Sequence, residues 1–279
     1  MNLSSGWKPA RRIGAALVAI SLAAPALAAP RADLWPRWQA HDPDATVTVN
    51  HQAWDEQLAR HVHADSTGAN RFDYAAVTPA DHAALKTYLR GMAAVPVSRL
   101  RRVEQLAYWI NLYNALTVNL VLDHYPVASI RDIDIGGLFD DGPWARDLVL
   151  VEGERISLND IEHRILRPIW TDPRIHYALN CAAVGCPQLA TRAYKAHTVD
   201  AMLDAGARAF INHPRGVSAT ADGLTVSSLY VWYAEDFGGT EAAAIAHFMA
   251  YAAPALAVRL AGARSFAGHR YDWRLNDVE

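Results

Sequence analysis

The only two cysteines in 279 residues, Cys181 and Cys186, stand five apart in a segment that also carries a histidine, Arg174-Ile-His-Tyr-Ala-Leu-Asn-Cys-Ala-Ala-Val-Gly-Cys-Pro-Gln-Leu. Pro187 suits the first position of a helix and Gly185 permits a tight backbone path, so the pattern predicts a helix from Pro187 to Tyr194 with Cys186 at its N-cap. A thiol there faces free backbone N–H groups and the positive end of the helix dipole, and both favour the nucleophilic thiolate. An imidazole within hydrogen-bond reach completes a Cys-His pair, the unit that acyl transfer requires. Two histidines compete for that place. His176 falls on a strand expected from Arg174 to Asn180, and His163 stands beside Glu162 on the helix before it. The strand alternation points Cys181 to a core-like face, which makes Cys186 the expected reactive thiol.

Two other uses of the cysteines stand beside this one. A disulfide would close a very short loop, where the chain-entropy gain is least. Zinc would find acceptable ligands in His163, His176, Cys181 and Cys186, although their spacing matches no common finger or ribbon. No phosphate loop, dinucleotide fingerprint, G-x-S-x-G elbow or H-E-x-x-H is present, so no cofactor is expected. Asn111 and Asn114 are a further pair. They lie one turn apart in an apolar helix, where asparagine is a poor interior residue unless its amide has fixed partners.

The elements that must position these groups follow from periodicity. Helices are predicted from about Asn50, over Pro79 to Met92, and after Ser98, where Leu106, Trp109, Ile110, Tyr113, Leu116, Leu120 and Val121 form a core stripe up to Pro126. A strand-like piece covers Arg71 to Tyr74. Asp140-Asp141-Gly142-Pro143 reads as a turn, followed by a hairpin of Leu148–Val151 and Arg155–Ser157 about Glu152-Gly153-Glu154. Ser157 and Asp160 resemble a capping box opening a helix from Leu158 to Arg167, which Pro168 ends. Further helices are expected over Val199–Phe210, Leu229–Phe237 (capped by Ser228, closed by Gly238-Gly239), Glu241–Tyr251 and Ala255–Ala261. Strands are expected at Leu224–Val226 and Arg270–Leu275. Helices and antiparallel strands without a regular βαβ beat make the fold class α+β, mixed helices around a small, mainly antiparallel sheet.

The chain begins with Lys8, Arg11 and Arg12, an uncharged stretch from Ile13 to Ala24, and Ala26-Leu27-Ala28. That is a signal-peptide pattern, too short to span a bilayer, and it predicts cleavage after residue 28 and a periplasmic or secreted protein. Residues 29–45 read as an extended lead-in and 46–279 as one domain. Removal of the leader leaves 23 basic against 29 acidic residues, a balance that argues against nucleic acid or an anionic membrane as partner. The expected partner is a small-molecule or peptide-like substrate.

Five segments together resemble the Domain of Unknown Function 547 (DUF 547) family: Tyr108-Trp-Ile-Asn-Leu-Tyr-Asn-Ala-Leu116, Leu158-Asn-Asp-Ile-Glu-His-Arg-Ile-Leu-Arg167, His176 to Leu189, Val231-Trp-Tyr-Ala-Glu-Asp-Phe237 and Tyr271-Asp-Trp-Arg-Leu-Asn276. The likeness is strongest over about residues 95 to 240. The matching positions include Asn111, Asn114, Glu162, His163, Arg167, Arg174, His176, Cys181, Cys186, Pro187, Trp232, Asp236 and Phe237, and the resemblance implies that Asn111, Asn114, Glu162, His163, His176 and Asp236 belong to one set that converges in a cleft, with Cys186, His176, Glu162 and His163 as the catalytic candidates and Asn111, Asn114, Arg174 and Asp236 as binding candidates. Where the family usually has serine before the second cysteine, this chain has Gly185. A more distant likeness to papain-like and transglutaminase-like enzymes rests on a thiol at a helix start, but there the thiol precedes the histidine, whereas His176 precedes Cys186. The family implies no activity by itself. The readings it leaves are a thiol-dependent hydrolase or acyl transferase, and a non-catalytic binding or scaffold domain with structural cysteines.

Overall fold

The computed structural model describes residues 30–133 and 142–278. The expected leader, residues 1–28, and most of the stretch from Ile133 through the Asp140-Asp141 turn lie outside the described residues. α1 (Gln52–His61) runs into β1 (Val62–Ala64), which pairs antiparallel with β2 (Asn70–Phe72). α2 (Pro79–Ala93) opens with a full capping box between Thr78 and Asp81 and a proline in its first turn, where no N–H is needed. α3 (Arg102–His124) is the central element, and nearly every residue from Glu104 to Val121 is buried. A helix buried on all faces has no polar stripe, so Asn111 and Asn114 sit inside the protein with the apolar residues.

β3 (Val149–Val151) and β4 (Glu154–Ile156) form the expected hairpin, with Glu152 and Gly153 both at positive φ, as a tight mirror-image turn requires. Ser157 and Asp160 make the expected reciprocal cap. The helix that follows is different from the expectation. Residues Asp160–Leu166 are wound as a π-helix, the chain continues as α4 (Arg167–Trp170), and Pro168 does not end it. A proline donates no hydrogen bond, and the carbonyls this frees are taken from outside: His163 O accepts from Asp33 N–H and Arg164 O from Trp35 N–H, both at 2.9 Å. The N-terminal lead-in is therefore built into the fold, with Trp38 buried edge-on against Trp109.

After α5 (Val199–Ile211), β5 (Val217–Thr220) and β6 (Gly223–Ser227) pair antiparallel, and β7 (Gly268–Arg270) joins β6 in parallel. α6 (Leu229–Trp232), α7 (Glu241–Tyr251) and α8 (Pro254–Leu260) complete the chain. The Leu229–Phe237 helix gives way to a 3-10 turn after Trp232, and Ser228 does not cap it, because its hydroxyl is engaged by His269. The class is α+β as expected, with three small sheets among the described residues in place of one. No described helix is long and apolar enough to cross a membrane.

Two expected elements around the cysteines are absent. Residues Pro173–Tyr177 form a 3-10 helix, opened by Asp172, rather than a strand. The alternation read from sequence fails because residues 175–180 are all buried, leaving no solvent face. Residues 187–194 are irregular rather than helical. Side chains capture their backbone instead: Asn180 Nδ2 donates to Pro187 O, Asn70 Nδ2 to Leu189 O, and Asp55 Oδ1 accepts from Ala193 N–H. The final strand stops at Arg270, beyond which Leu275 makes an isolated bridge to Ala183.

The described residues bury two apolar clusters. One surrounds α3 and includes Ile175, Ala178 and Leu179; the other centres on Phe210, Tyr230 and Phe248 and includes Tyr177. His176 stands at their seam.

Candidate functional site

Four of the expected residues come together at that seam. His176 Nε2 lies 2.7 Å from Asp236 Oδ2, and its Nδ1 lies 3.7 Å from Glu162 Oε1. Arg167 donates to both oxygens of Asp236, through Nε at 2.6 Å and a terminal nitrogen at 3.2 Å, and the other terminal nitrogen reaches His163 Nδ1 at 3.1 Å and Pro30 O at 2.7 Å. Tyr113 O–H donates to Glu162 Oε2 at 3.2 Å. Tyr233 stacks on His176 with ring centroids 4.3 Å apart and lies under Arg167. The π-helix matters here, since the extra residue per turn brings Glu162, His163 and Arg167 toward one side of a single short element.

The charges settle accordingly. Burial pushes the Asp236 carboxyl up, but hydrogen bonds from His176 and Arg167 outweigh it and hold the group well below the usual carboxylate range. Burial lowers His163, and the nearby Arg167 lowers it further although Glu162 pulls the other way. A guanidinium only donates, so the His163 Nδ1 facing Arg167 is the unprotonated nitrogen.

The cysteines are joined: Cys181 and Cys186 form a disulfide, with Cα atoms 6.2 Å apart. The disulfide alternative from the sequence is therefore the observed one, and in this form neither sulfur is a thiolate ligand of the kind the zinc alternative needs. Cys186 does not begin a helix, so the dipole argument for its reactivity and the comparison with papain-like enzymes both lose their basis. Its exposure also departs from expectation. Cys186 is 3% exposed while Cys181 is half-buried, so the residue expected to reach solvent is the deeper one. The Cys-His pair is not formed with His176, whose two ring nitrogens face Asp236 and Glu162.

What does approach the sulfur is a group the sequence reading did not single out. Tyr271 O–H donates to Cys186 Sγ at 3.0 Å and lies 3.1 Å from Cys181 Sγ, and Cys181 N–H donates to Cys186 Sγ at 3.0 Å. Tyr271 packs against both Trp232 and Trp273, which stack on each other, and burial, reinforced by the charge of Glu162, raises its hydroxyl far above the usual phenol range. It stays a protonated donor. Glu162 thus faces His176 and also acts electrostatically on Tyr271. The signal in the sequence was the Tyr271-Asp-Trp273 motif, whose chemistry shows only once the chain end returns to the cysteines.

Gly185 has a steric reason. A Cβ on it would sit 2.7 Å from Asp272 N and 3.0 Å from Asp272 O, and Gly185 N–H donates to that same carbonyl at 2.8 Å. This is the close approach that carries Tyr271 to the sulfurs.

Asn111, Asn114 and Arg174 do not join the network. Asn111 pairs with both backbone groups of Tyr194, and Asn114 with Ala178 O and Asn180 N–H, while both side chains are buried. They hold the cysteine segment against α3 and offer little to a ligand. Arg174 is fixed by Asp172, Asp200 and Asp204, which tie the 3-10 turn to α5 and raise its already high pKa.

With this geometry in place, comparison with known proteins gives one finding. Residues 97–211 match the family model described as a protein of unknown function, DUF547, a stretch that runs from the turn before α3 to the end of α5 and holds Glu162, His163, Arg167, His176 and both cysteines. No curated protein and no solved structure matches the chain.

Proposed function

We propose that the chain is an exported, thiol-dependent hydrolase or acyl transferase whose nucleophile is Cys186 in the reduced form, with Tyr271 rather than a histidine as the group on the sulfur. The observation that carries this reading is the convergence of two donors on Cys186 Sγ, from Cys181 N–H and Tyr271 O–H, each at 3.0 Å. Hydrogen bonds to the charged form favour it, so a reduced Cys186 would ionise more readily than an ordinary thiol. Glu162, which belongs to the network with His176, Asp236 and Arg167, acts electrostatically on Tyr271 and helps keep its hydroxyl protonated. The disulfide makes the observed form the idle one, and reduction is the step that releases the nucleophile. The mature protein begins near Ala29, and residues 46–279 act as one domain.

A binding or scaffold role, with the disulfide as a structural staple, is favoured by one observation, the depth of Cys186. Alkylation of reduced Cys181→Ser protein across pH separates the two. The enzyme reading expects a Cys186 pKa below the free-thiol value of about 8.5, and an acyl adduct on Cys186 after treatment with an aryl thioester. An ordinary or raised pKa with no acyl adduct supports the scaffold. Mass spectrometry of the exported protein checks the leader, since retention of Lys8 or Arg11 refutes cleavage after residue 28.

A further inference from the structure

We infer that the Cys181–Cys186 disulfide exchanges with thiols in one direction, an incoming thiolate bonding to Cys181 Sγ while Cys186 leaves, and that anionic thiols are its substrate class. This activity belongs to the oxidised protein and does not depend on the acyl chemistry proposed above.

The direction follows from asymmetry between the two sulfurs. Cys181 is half-buried and Cys186 is nearly sealed, so an entering thiol meets Cys181 first. The departing sulfur must carry negative charge, and the better stabilised thiolate leaves faster. Tyr271 O–H reaches both sulfurs, at 3.0 and 3.1 Å, and serves whichever carries the charge. What separates them is the backbone: Cys181 N–H donates to Cys186 Sγ at 3.0 Å, whereas the Cys186 N–H that could return the favour donates to Ala183 O at 3.0 Å. The step balances simply. The thiolate sulfur forms a bond to Cys181 Sγ, the Cys181–Cys186 bond breaks, and its electron pair remains on Cys186 as thiolate. A second thiolate attacks the external sulfur of the mixed disulfide, which releases the oxidised thiol and leaves both cysteines reduced.

The substrate class follows from Arg215 beside the loop and from Arg71, which acts electrostatically on it. Arg215 donates through one terminal nitrogen to Val184 O, inside the 181–186 loop, at a long 3.5 Å. Its Nε and other terminal nitrogen are buried and meet no acceptor among the described residues, and the same holds for one terminal nitrogen of Arg71. Arg71 Nε pairs with Asp65 at 2.8 Å, and Asp65 also acts electrostatically on Arg215, as Asp272 does with Arg71. The turn before β2, which carries Arg71, meets the turn that carries Arg215: His213 Nε2 lies 3.1 Å from Thr67 Oγ1, and His213 Nδ1 accepts Arg215 N–H. Arg215 acts electrostatically on Tyr271, whose hydroxyl touches both sulfurs. Glu162 also acts on Tyr271, but it accepts from Tyr113 within the seam network. Buried guanidinium donors without acceptors favour an oxyanion at hand.

The test uses the folded, oxidised chain with 2-mercaptoethanesulfonate or cysteamine at equal thiolate concentration, followed by N-ethylmaleimide and fragment mass spectrometry. The expected adduct carries the external thiol on Cys181 and maleimide on Cys186. At low salt the anionic thiol reacts faster by about tenfold, and the difference shrinks at high salt. Arg215→Gln removes that preference without moving the adduct. Tyr271→Phe slows exchange about tenfold, as loss of a hydrogen bond to a charged group predicts. An external thiol found on Cys186, or no adduct on protein that remains folded, overturns the exchange. Equal rates for the two thiols overturn the substrate class.

Discussion

Replacing Asn114 with alanine tests whether α3 holds the cysteine segment as the structure indicates. The side chain is 2% exposed; its Nδ2 donates to Ala178 O at 2.8 Å and its Oδ1 accepts from Asn180 N–H at 2.9 Å. Both partners belong to buried residues, so truncation strands one backbone acceptor and one backbone donor. Each stranded group costs about 1–3 kcal/mol, and the better helix propensity of alanine returns about 0.5 kcal/mol. The expected loss is about 4 kcal/mol, a large part of the roughly 5–15 kcal/mol of a typical domain. Urea denaturation measures it at fixed pH with the disulfide intact. Asn111→Ala is the control, because that amide makes the same two bonds with Tyr194 and should cost a similar amount. The two variants differ in position. Asn114 fixes the residues immediately before Cys181, so under conditions where both variants remain folded, Asn114→Ala should speed reduction of the disulfide by a phosphine and Asn111→Ala should not. A stability loss below about 1 kcal/mol for Asn114→Ala, the ordinary effect of a neutral site, would refute the clamp. Equal reduction rates would refute its link to the cysteines.

Trp109→Ala should destabilise the protein by about 3–5 kcal/mol in the same assay, since the ring is 1% exposed and packs edge-on against Trp38 and Tyr108. Stability should fall on acidification below pH about 6.5. His51 is lowered to about 4, chiefly by burial with Asp55 opposing and Lys195 reinforcing, so the unfolded chain binds the proton that the folded one refuses. That contribution is full above the unfolded value and is lost as pH falls toward the folded one, about 3 kcal/mol in all. His51→Gln should flatten the pH dependence of the urea midpoint over that window, and an unchanged slope would count against it. Gly185→Ser should destabilise by about 1–3 kcal/mol, because its Cβ meets the Asp272 backbone rather than a yielding side chain. A neutral effect would show that the chain end can withdraw from the sulfurs.

The local rules of the chain were legible without the structure. The apolar stripe of α3, the Ser157–Asp160 cap, the Glu152-Gly153 turn and the Gly238 stop each depend on residues a few positions apart, and short-range hydrogen bonds and periodicity suffice to place them. The odd placement of Asn111 and Asn114 in an apolar helix indicated fixed partners, which they have; of the six polar residues that the family resemblance implied would meet, Glu162, His163, His176 and Asp236 come together and Asn111 and Asn114 do not.

The cysteine segment was misread because its backbone partners come from afar. A helix from Pro187 and a strand from Arg174 are reasonable local outcomes, yet Asn70, Asp55, Asn111 and Asn114 supply the hydrogen bonds that those elements would have made internally. The π-helix at Glu162 likewise depends on the lead-in residues Asp33 and Trp35 to satisfy the carbonyls beside Pro168.

Composition and spacing by themselves determined an α+β chain with a thiol pair beside a histidine, and the family resemblance added the expectation that a scattered polar set would meet. Only the tertiary structure decided that the thiols face each other, that His176 faces Asp236 and Glu162, and that Tyr271 lies on the sulfurs. The physical reason is separation along the chain: Tyr271 lies 85 residues from Cys186 and Asp236 lies 60 from His176, and no local propensity records which distant segment will satisfy a buried polar group.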